Sequence, residues 1–253
     1  MIGTLYLIPN TLGIDTNASA GTNNALNHII PQQVQALTAN LDYFIAENAK
    51  STRAFLKLLA SNQALAKPLQ EIRIEELNIN TPASALPSLL QALLQGQDAG
   101  LISEAGVPAV ADPGANLVRL AHQKNIPVRP LVGPSSLLLA LMGSGLNGQS
   151  FAFNGYLPTD AALRLKRLKE LEARSRQEQQ TQLFIETPYR NAAMLDAMLS
   201  ACHADTLICV ATDLSLSSES LQSRSVAQWK KQLAAHGQPN FHKKPTVFLL
   251  LAS

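Results

Sequence analysis

Short apolar runs alternate with amphipathic segments along the whole chain of 253 residues. Apolar runs of this length are typical of buried strands, and segments with apolar residues at helical spacing are typical of the helices that connect such strands. A regular alternation of the two leaves few architectures open, because each helix must cover a sheet that the strands form. The pattern therefore predicts an α/β fold.

The same pattern gives the expected elements. The predicted strands are 4–9, 41–46, 100–103, 127–132, 151–156, 182–186, 206–211 and 246–251. The predicted helices are 32–39, 52–59, 84–94, 115–124, 136–141, 191–200 and 226–235. The pattern restarts after Asp112, whose carboxylate can accept from the first free N–H groups of a helix, and Pro113 fits a first helical position. We expect two α/β domains, residues 1–113 and 114–253.

The charge of the chain permits an RNA substrate without requiring one. The formal net charge is +2, far from the basic footprint of a domain that coats nucleic acid. Segment 159–180 is rich in arginine, lysine and glutamine, which fits either a solvated surface helix or a face that contacts RNA phosphates. Its cations lie close together: Arg164, Lys166, Arg167 and Lys169. Glu170 and Glu172 weaken the RNA alternative.

Other features predict a cytoplasmic protein without a metal. The first strand follows the N-terminus without a basic leader or a cleavage site, and no run approaches the roughly 20 apolar residues of a membrane span. Cys202 and Cys209 fit buried thiols better than a disulfide framework or a metal site. The five histidines are scattered without ligand spacing.

Three turns rich in small residues follow predicted strands: 9–15, the turn within 101–114, and 132–136. Ligands of open α/β sheets bind at the carboxyl ends of the strands, and small residues let the backbone approach a ligand closely. Each turn alone is more typical of a plain chain reversal, and Ser135 or Ser136 of a helix N-cap. Three such turns in corresponding positions indicate a ligand site.

Seven blocks carry a resemblance that covers almost the whole chain. They are GTLYLIPNTLG, AENAKSTR, LISEAGVPAVADPG, LVGPSSLLLAL, FNGYLP, FIETPYR and PTVFLLL. In order and approximate spacing they resemble the ribosomal RNA small subunit methyltransferase I family, which is part of the tetrapyrrole methylase superfamily. The resemblance implies two α/β domains with S-adenosylmethionine in the cleft between them, a homodimer, and a ribose hydroxyl of ribosomal RNA as the methyl acceptor.

The resemblance also implies the cofactor-binding positions. In the first domain they are Leu12, Gly13, Glu104, Ala105, Gly106, Val107 and Val110. The rest are Ser135, Ser136, Glu186, Pro188, Tyr189, Arg190, Leu214, Ser215, Pro245 and Thr246. Most of these contacts would involve the backbone, so side-chain identity can change without loss of binding.

The chain departs from the family where the substrate is expected. The family pattern AEDTR is here AENAK, which replaces an acid with Asn48. HxHNE aligns with residues 75–79 without its histidines, and KGE becomes KKP at 243–245. Glu47, Arg53 and Asn78 remain as catalytic candidates, since a carboxylate can accept a proton from a hydroxyl.

Each candidate also has a structural alternative. Glu47 and Arg53 fit an ion pair at the start of a helix, and Asn78 fits a turn. The sequence around His242, Lys243 and Lys244 fits either an edge that contacts phosphates or a solvated loop.

Four functions are compatible with these motifs to different degrees. The first is methylation of RNA, and the second is methylation of a tetrapyrrole or another small molecule. The missing GAGPGD turn counts against the second. A catalytically silent S-adenosylmethionine-binding protein is a third, which the lost acids and histidines favour. A nucleotide-binding protein is the weakest, because G-x-x-x-x-G-K-[ST] is absent from the sequence. The one G-x-G-x-x-G match, at 143–148, follows a predicted helix instead of a predicted strand.

Overall fold

The chain forms two compact units, Met1–Ser135 and Ser136–Ser253, in a computed structural model that describes residues 1–13 and 26–253. Each unit contains one sheet with helices, which confirms the prediction of two α/β units. Ile14 and Asp15, the end of the first predicted turn, lie outside the described residues.

The first unit is built on a parallel sheet. Its described strands are β1 (Leu5–Ile8), β2 (Tyr43–Ala46), β3 (Arg73–Glu76), β4 (Ala99–Ile102) and β5 (Val128–Pro130). Its described helices are α1 (Gln32–Ala39), α2 (Ala49–Ala60), α3 (Leu86–Leu89), α4 (Gln91–Leu94) and α5 (Gly114–Gln123), with a 3-10 turn at Ala83–Ala85. The strand order is β3-β2-β4-β1-β5, and every pairing is parallel.

The central strands of this sheet are apolar because both of their faces are covered. All four residues of β2 and of β4 are buried, as in parallel strands with helices on both sides. One core cluster joins Leu5 to Leu117 and Ala121 of α5, and another joins Ile8 to Phe55 of α2.

The observed division of the chain falls after Ser135, whereas the sequence suggested residue 113. The segment in between belongs to the first unit for two reasons. β5 pairs with β1, with Val128 opposite Leu5, and α5 buries Leu117 and Ala121 in the same cluster as Leu5. The capping role of Asp112 is confirmed, since its Oδ1 accepts from the Gly114 N–H at 2.7 Å.

The second unit has a mixed sheet. Its strands are β6 (Phe151–Tyr156), β7 (Thr181–Ile185), β8 (Leu207–Thr212), β9 (Ser220–Ser225) and β10 (Thr246–Leu251). Its helices are α6 (Ser136–Ser144), α7 (Ala161–Glu178), α8 (Asn191–Ala201) and α9 (Val226–His236), with a 3-10 turn at Pro188–Arg190. The order is β6-β7-β10-β8-β9. Only β6 and β7 among these neighbours run parallel.

Aromatic side chains fill the core of the second unit. Trp229 is fully buried and its Nε1 donates to the Ile208 carbonyl at 2.9 Å. Phe184 and Phe248 stack with their centroids 6.0 Å apart. This core lies where α8 and α9 cover the sheet.

Both cysteines are free and buried, as the sequence indicated. Burial raises the pKa of the Cys202 and Cys209 thiols to about 12, which leaves little reactive thiolate at neutral pH. In the part of the chain that the structure describes, no three metal-ligating side chains lie together.

Helix α7 corresponds to the charged segment. Of its cations named above, Lys166 and Lys169 are exposed, and the two arginines are held by contacts within the protein. Arg164 is 8% exposed and donates to the Thr159 carbonyl at 3.0 Å, while Arg167 pairs with Glu170. Glu172 accepts from the His203 N–H at 2.6 Å. These contacts favour the surface-helix alternative.

Within residues 1–13 and 26–253, no helix is long and apolar enough to cross a membrane.

Candidate functional site

The turns that follow β1 and β4 are joined to each other. β1 and β4 are parallel neighbours, with Ile8 opposite Ile102, so the chain leaves both strands at the same edge. The Asn10 N–H donates to the Gly106 carbonyl at 2.8 Å. The buried Asn10 amide also donates to the carbonyls of Ser103 and Glu104 at 3.1 and 3.0 Å. Asn10 thereby sets the distance between the two turns.

The turn after β5 packs against the same place. A Cβ on Gly133 would lie 2.1 Å from the Cβ of Pro9, so only glycine permits this approach. Gly106 has a φ of +66°, and a Cβ there would lie 3.2 Å from the Leu12 side chain. The three small-residue turns therefore lie against one another. Ser135 ends this unit, and Ser136 begins α6 in the other.

A cavity of about 160 Å³ opens beside the first two turns. Four residues that the resemblance implies for the cofactor line it: Leu12, Gly13, Glu104 and Ala105. Asn10 and Thr11 complete the turn side, and α2 contributes Ser51, Ala54, Phe55 and Leu58. The cavity thus combines backbone groups of two turns with an apolar helix face. Its size and lining suit a flat organic group more than a phosphate.

The start of α2 explains one departure from the family pattern. The Asn48 Oδ1 accepts from the N–H groups of Lys50 and Ser51 at 2.9 and 3.2 Å, which makes Asn48 the N-cap of α2. Aspartate and asparagine cap helices about equally well. The change from acid to amide therefore preserves this structural role.

Glu47 is attached to the turn after β4. Its Oε2 accepts from the Glu104 N–H at 3.0 Å. Arg53 lies exposed on α2, and no ion pair joins it to Glu47 among the described residues. The ion-pair alternative for these two residues is therefore wrong. Glu47 instead links the end of β2 to the turn after β4.

Asp112 holds the second half of the same turn. Its carboxylate accepts from the Ala109 N–H at 2.8 Å and from the Gly114 N–H at 2.7 Å. Ala109 and Ala111 have φ values of 67° and 63°, a conformation that costs alanine energy. Burial raises the pKa of Asp112, and the negative charge of Glu47 adds to this effect. Asp112 stabilises a strained turn. Val107 in this turn is half-buried and Val110 exposed.

Asn78, the third catalytic candidate, has a turn role in this structure. Its Oδ1 accepts from the Asn80 N–H and its own N–H donates to the Thr81 Oγ1, both at 3.0 Å. The first of these is the bond of an Asx turn. The contacts support the structural alternative for Asn78.

The remaining implied positions gather at one edge of the second sheet. Glu186 follows β7, Leu214 and Ser215 follow β8, Pro245 precedes β10, and Thr246 is its first residue. The Asp213 N–H donates to the Pro245 carbonyl at 3.0 Å. These positions belong to one cluster, which lies in a different unit from the cavity.

Two side chains of this cluster are occupied by internal contacts. Leu214 is 7% exposed. The buried Thr246 Oγ1 contacts the Thr212 Oγ1 and accepts from the Asn191 amide, both at 3.1 Å. A ligand at this edge would therefore meet the backbone of these residues more readily than their side chains.

Glu186 has a carboxylate oxygen without a hydrogen-bond partner. Its side chain is fully buried and pairs with Arg190. The Oε1 accepts from the Arg190 Nε at 3.0 Å and the Thr187 N–H at 2.6 Å, while the Oε2 is buried with no partner in the described part of the chain. Because buried carboxylate oxygens need donors, a water or a ligand fits this position.

The sequence analysis missed Asn10 as a site residue and gave Asp112 only a capping role. Asn10 is the first polar residue after a buried strand, and that position could have identified it. The α2 face gave no such signal, because Phe55 and Leu58 look like ordinary core positions of an amphipathic helix.

Comparison with known proteins gives relatives at moderate identity. No protein-family model matches the chain. Ribosomal RNA small subunit methyltransferase I of Vibrio cholerae is 30% identical over 224 residues, which are 88% of this chain and 69% of that protein. The protein of the same name from Streptococcus pyogenes serotype M1 is 31% identical over 228 residues, 89% of this chain and 70% of that protein.

Two solved structures share the fold. The methyltransferase CobJ has a TM-score of 0.60 at 14% identity and covers 99% of this chain and 95% of its own. The cobalt precorrin-4 methyltransferase CbiF has a TM-score of 0.58 at 13% identity and covers 98% of this chain and 94% of its own. At these identities the likeness concerns the fold alone.

Proposed function

We propose the cofactor and the substrate class of this chain, which belongs to the ribosomal RNA small subunit methyltransferase I family of methyltransferases. The proposed methyl donor is S-adenosylmethionine, bound in the first unit at turns 10–13 and 104–107. The proposed acceptor is a ribose 2′-hydroxyl, the atom that the resemblance implies. The names of the relatives support RNA of the small ribosomal subunit as the substrate.

The observation that carries the proposal is the cavity between the two turns and α2. Phe55 and Leu58 supply an apolar wall, which suits the flat adenine ring. Glu104 is exposed at the rim, and Glu47 lies directly behind its backbone N–H. Negative charge beside the cavity favours a ligand with positive charge, and the sulfonium group of S-adenosylmethionine carries one.

The protein has little covalent chemistry to perform in such a reaction. S-adenosylmethionine supplies an electrophilic methyl group, so the chain must orient the hydroxyl and accept its proton. Glu47 is the candidate proton acceptor, because it is half-buried and its carboxylate is hydrogen-bonded to the turn that would hold the cofactor.

The experiment that tests the proposal has two steps. S-adenosylmethionine at 100 times its Kd should stabilise the protein by about 2.7 kcal/mol, visible as a raised Tm. Label from methyl-tritiated cofactor should then enter small-subunit RNA from a strain that lacks this protein, on ribose after digestion to nucleosides. Absence of a Tm shift at millimolar cofactor overturns the cofactor proposal. Binding without transfer indicates a silent protein, and label only in small molecules overturns the RNA proposal.

A Glu47→Gln substitution tests the proton-acceptor role. The amide oxygen of glutamine can still accept from the Glu104 N–H, so the turn should keep its shape and the KM for S-adenosylmethionine should stay unchanged. Loss of a general base lowers kcat by about 100-fold. Steady-state kinetics with saturating RNA measures both values.

The matched control is Glu76→Gln. Glu76 ends the neighbouring strand β3 and also accepts a backbone N–H, that of Ala49 at 3.0 Å. We expect its kcat to stay within about twofold of the wild type, since surface substitutions have small effects. Equal kcat values for the two variants would show that Glu47 only positions the turn.

A further inference from the structure

An exposed aromatic ring with a cation beside it lies on the second unit. Tyr189 is 72% exposed. The His242 ring meets it edge-on, with centroids 6.4 Å apart and an angle of 84°. The Lys243 Nζ lies 5.7 Å from the centroid of the tyrosine ring. We name Tyr189, His242 and Lys243 the stacking surface.

The backbone holds the stacking surface in place. The Lys243 N–H donates to the Pro188 carbonyl at 3.3 Å, which joins the turn before α8 to the turn before β10. Lys243 has a φ of +59°. Its neighbour Lys244 is tied to the buried Asp213, with its Nζ 2.9 Å from the Oδ2. The two lysines therefore differ, since Lys244 forms an internal ion pair and Lys243 projects beside the ring.

An exposed aromatic ring flanked by N–H donors has the chemistry of a base-binding platform. Unpaired RNA bases stack on tyrosine and histidine rings, while lysine contacts the neighbouring phosphate. A paired base cannot reach such a ring, because its faces are covered by its neighbours in the helix. The chemistry of the stacking surface therefore favours a single-stranded segment over a duplex.

We propose that the stacking surface binds an unpaired base of the RNA substrate on the ring of Tyr189, with the adjacent phosphate at Lys243 and His242. This inference rests on the proposed function, whose substrate it specifies as a single-stranded or flipped-out nucleotide. It also changes the role of Tyr189 from the cofactor contact that the resemblance implied to a substrate contact.

The test measures RNA binding by fluorescence anisotropy with a labelled single-stranded oligonucleotide from small-subunit RNA. Tyr189→Phe keeps the ring and should bind like the wild type. Tyr189→Leu keeps apolar bulk without the ring and should bind about tenfold more weakly, within the range of one lost stacking contact. The fully paired form of the same oligonucleotide should bind both variants equally.

The lysine is tested in the same assay. Lys243→Ala should make the negative slope of log K against log salt about 0.7 less steep, the value for one phosphate contact on a single strand. Lys231→Ala removes an exposed lysine of α9 and should leave the slope unchanged. Equal slopes for the two variants would overturn the phosphate contact.

A parallel Tm titration with S-adenosylmethionine separates the possible failures. If the wild type binds no RNA, the proposed substrate fails. If the wild type binds RNA and Tyr189→Leu binds it equally well, the stacking surface fails while the proposed function stands. If Tyr189→Leu loses affinity for S-adenosylmethionine and not for RNA, Tyr189 belongs to the cofactor site and the inference is overturned.

Discussion

The Gly133→Ala protein is expected to lose about 3 kcal/mol of its free energy of unfolding, at the upper end of the usual cost of overpacking. The new Cβ would lie 2.1 Å from the Cβ and 2.4 Å from the Cγ of Pro9. A proline ring has no rotamer that could move it away, so the turn after β1 must shift. Affinity for S-adenosylmethionine should fall at least tenfold, because that turn lines the cavity.

Urea unfolding followed by circular dichroism measures the stability of this variant. Hydrogen exchange with mass spectrometry locates the change, which should appear in residues 5–13 and 126–135. Gly148→Ala is the matched control, because a Cβ there meets nothing within 4 Å, and its stability should stay within about 0.5 kcal/mol. A Gly133→Ala protein as stable as that control would disprove the close packing of the two turns.

Burial on both faces explains why the sequence predicted most of the fold. β2, β4 and β10 are continuous apolar runs, since strands in the middle of a covered sheet expose no side chain to water. The predicted strands at 151–156 and 246–251 have the observed bounds.

The two strands that the sequence analysis missed are both at sheet edges. β3 is Arg-Ile-Glu-Glu and β9 is Ser-Leu-Gln-Ser-Arg-Ser. Each pairs on one side only, so solvent reaches it and charged or polar residues cost little there. Such strands form because a neighbour offers its backbone groups, and composition gives no sign of this.

The meeting of the turns at one edge of the first sheet was predictable, whereas the hydrogen bonds of individual side chains were not. Parallel neighbours end at one edge, so the turns after β1 and β4 had to be adjacent. The hydrogen bonds that occupy Asn78 and Thr246 depend on partners that come from turns and distant elements. Sequence motifs identify the positions, and only the fold shows which atoms remain available to a ligand.

The second large effect is expected for Arg190→Ala, which should lower the stability of the second unit by about 3 kcal/mol. The Glu186 side chain is fully buried, and its Oε1 accepts from the guanidinium of Arg190. Removal of the arginine would leave a buried carboxylate without its counter-ion, which costs more than the pair itself contributes. The single tryptophan of the chain, Trp229, lies in the core of this unit. Its fluorescence during urea unfolding therefore measures the stability of the second unit.

Arg174→Ala provides the control for this prediction. It removes an arginine that also pairs with a glutamate four residues away, but in an exposed pair. The side chains of Arg174 and Glu178 are 49% and 43% exposed. Solvent screens such a pair, and its loss should cost about 0.5 kcal/mol or less. The double variant Glu186→Leu, Arg190→Met should recover most of the stability that Arg190→Ala loses, since it leaves no buried charge. If Arg174→Ala and Arg190→Ala cost the same, Glu186 is hydrated in solution, and its unpartnered Oε2 then gives no reason to expect a ligand at that edge of the sheet.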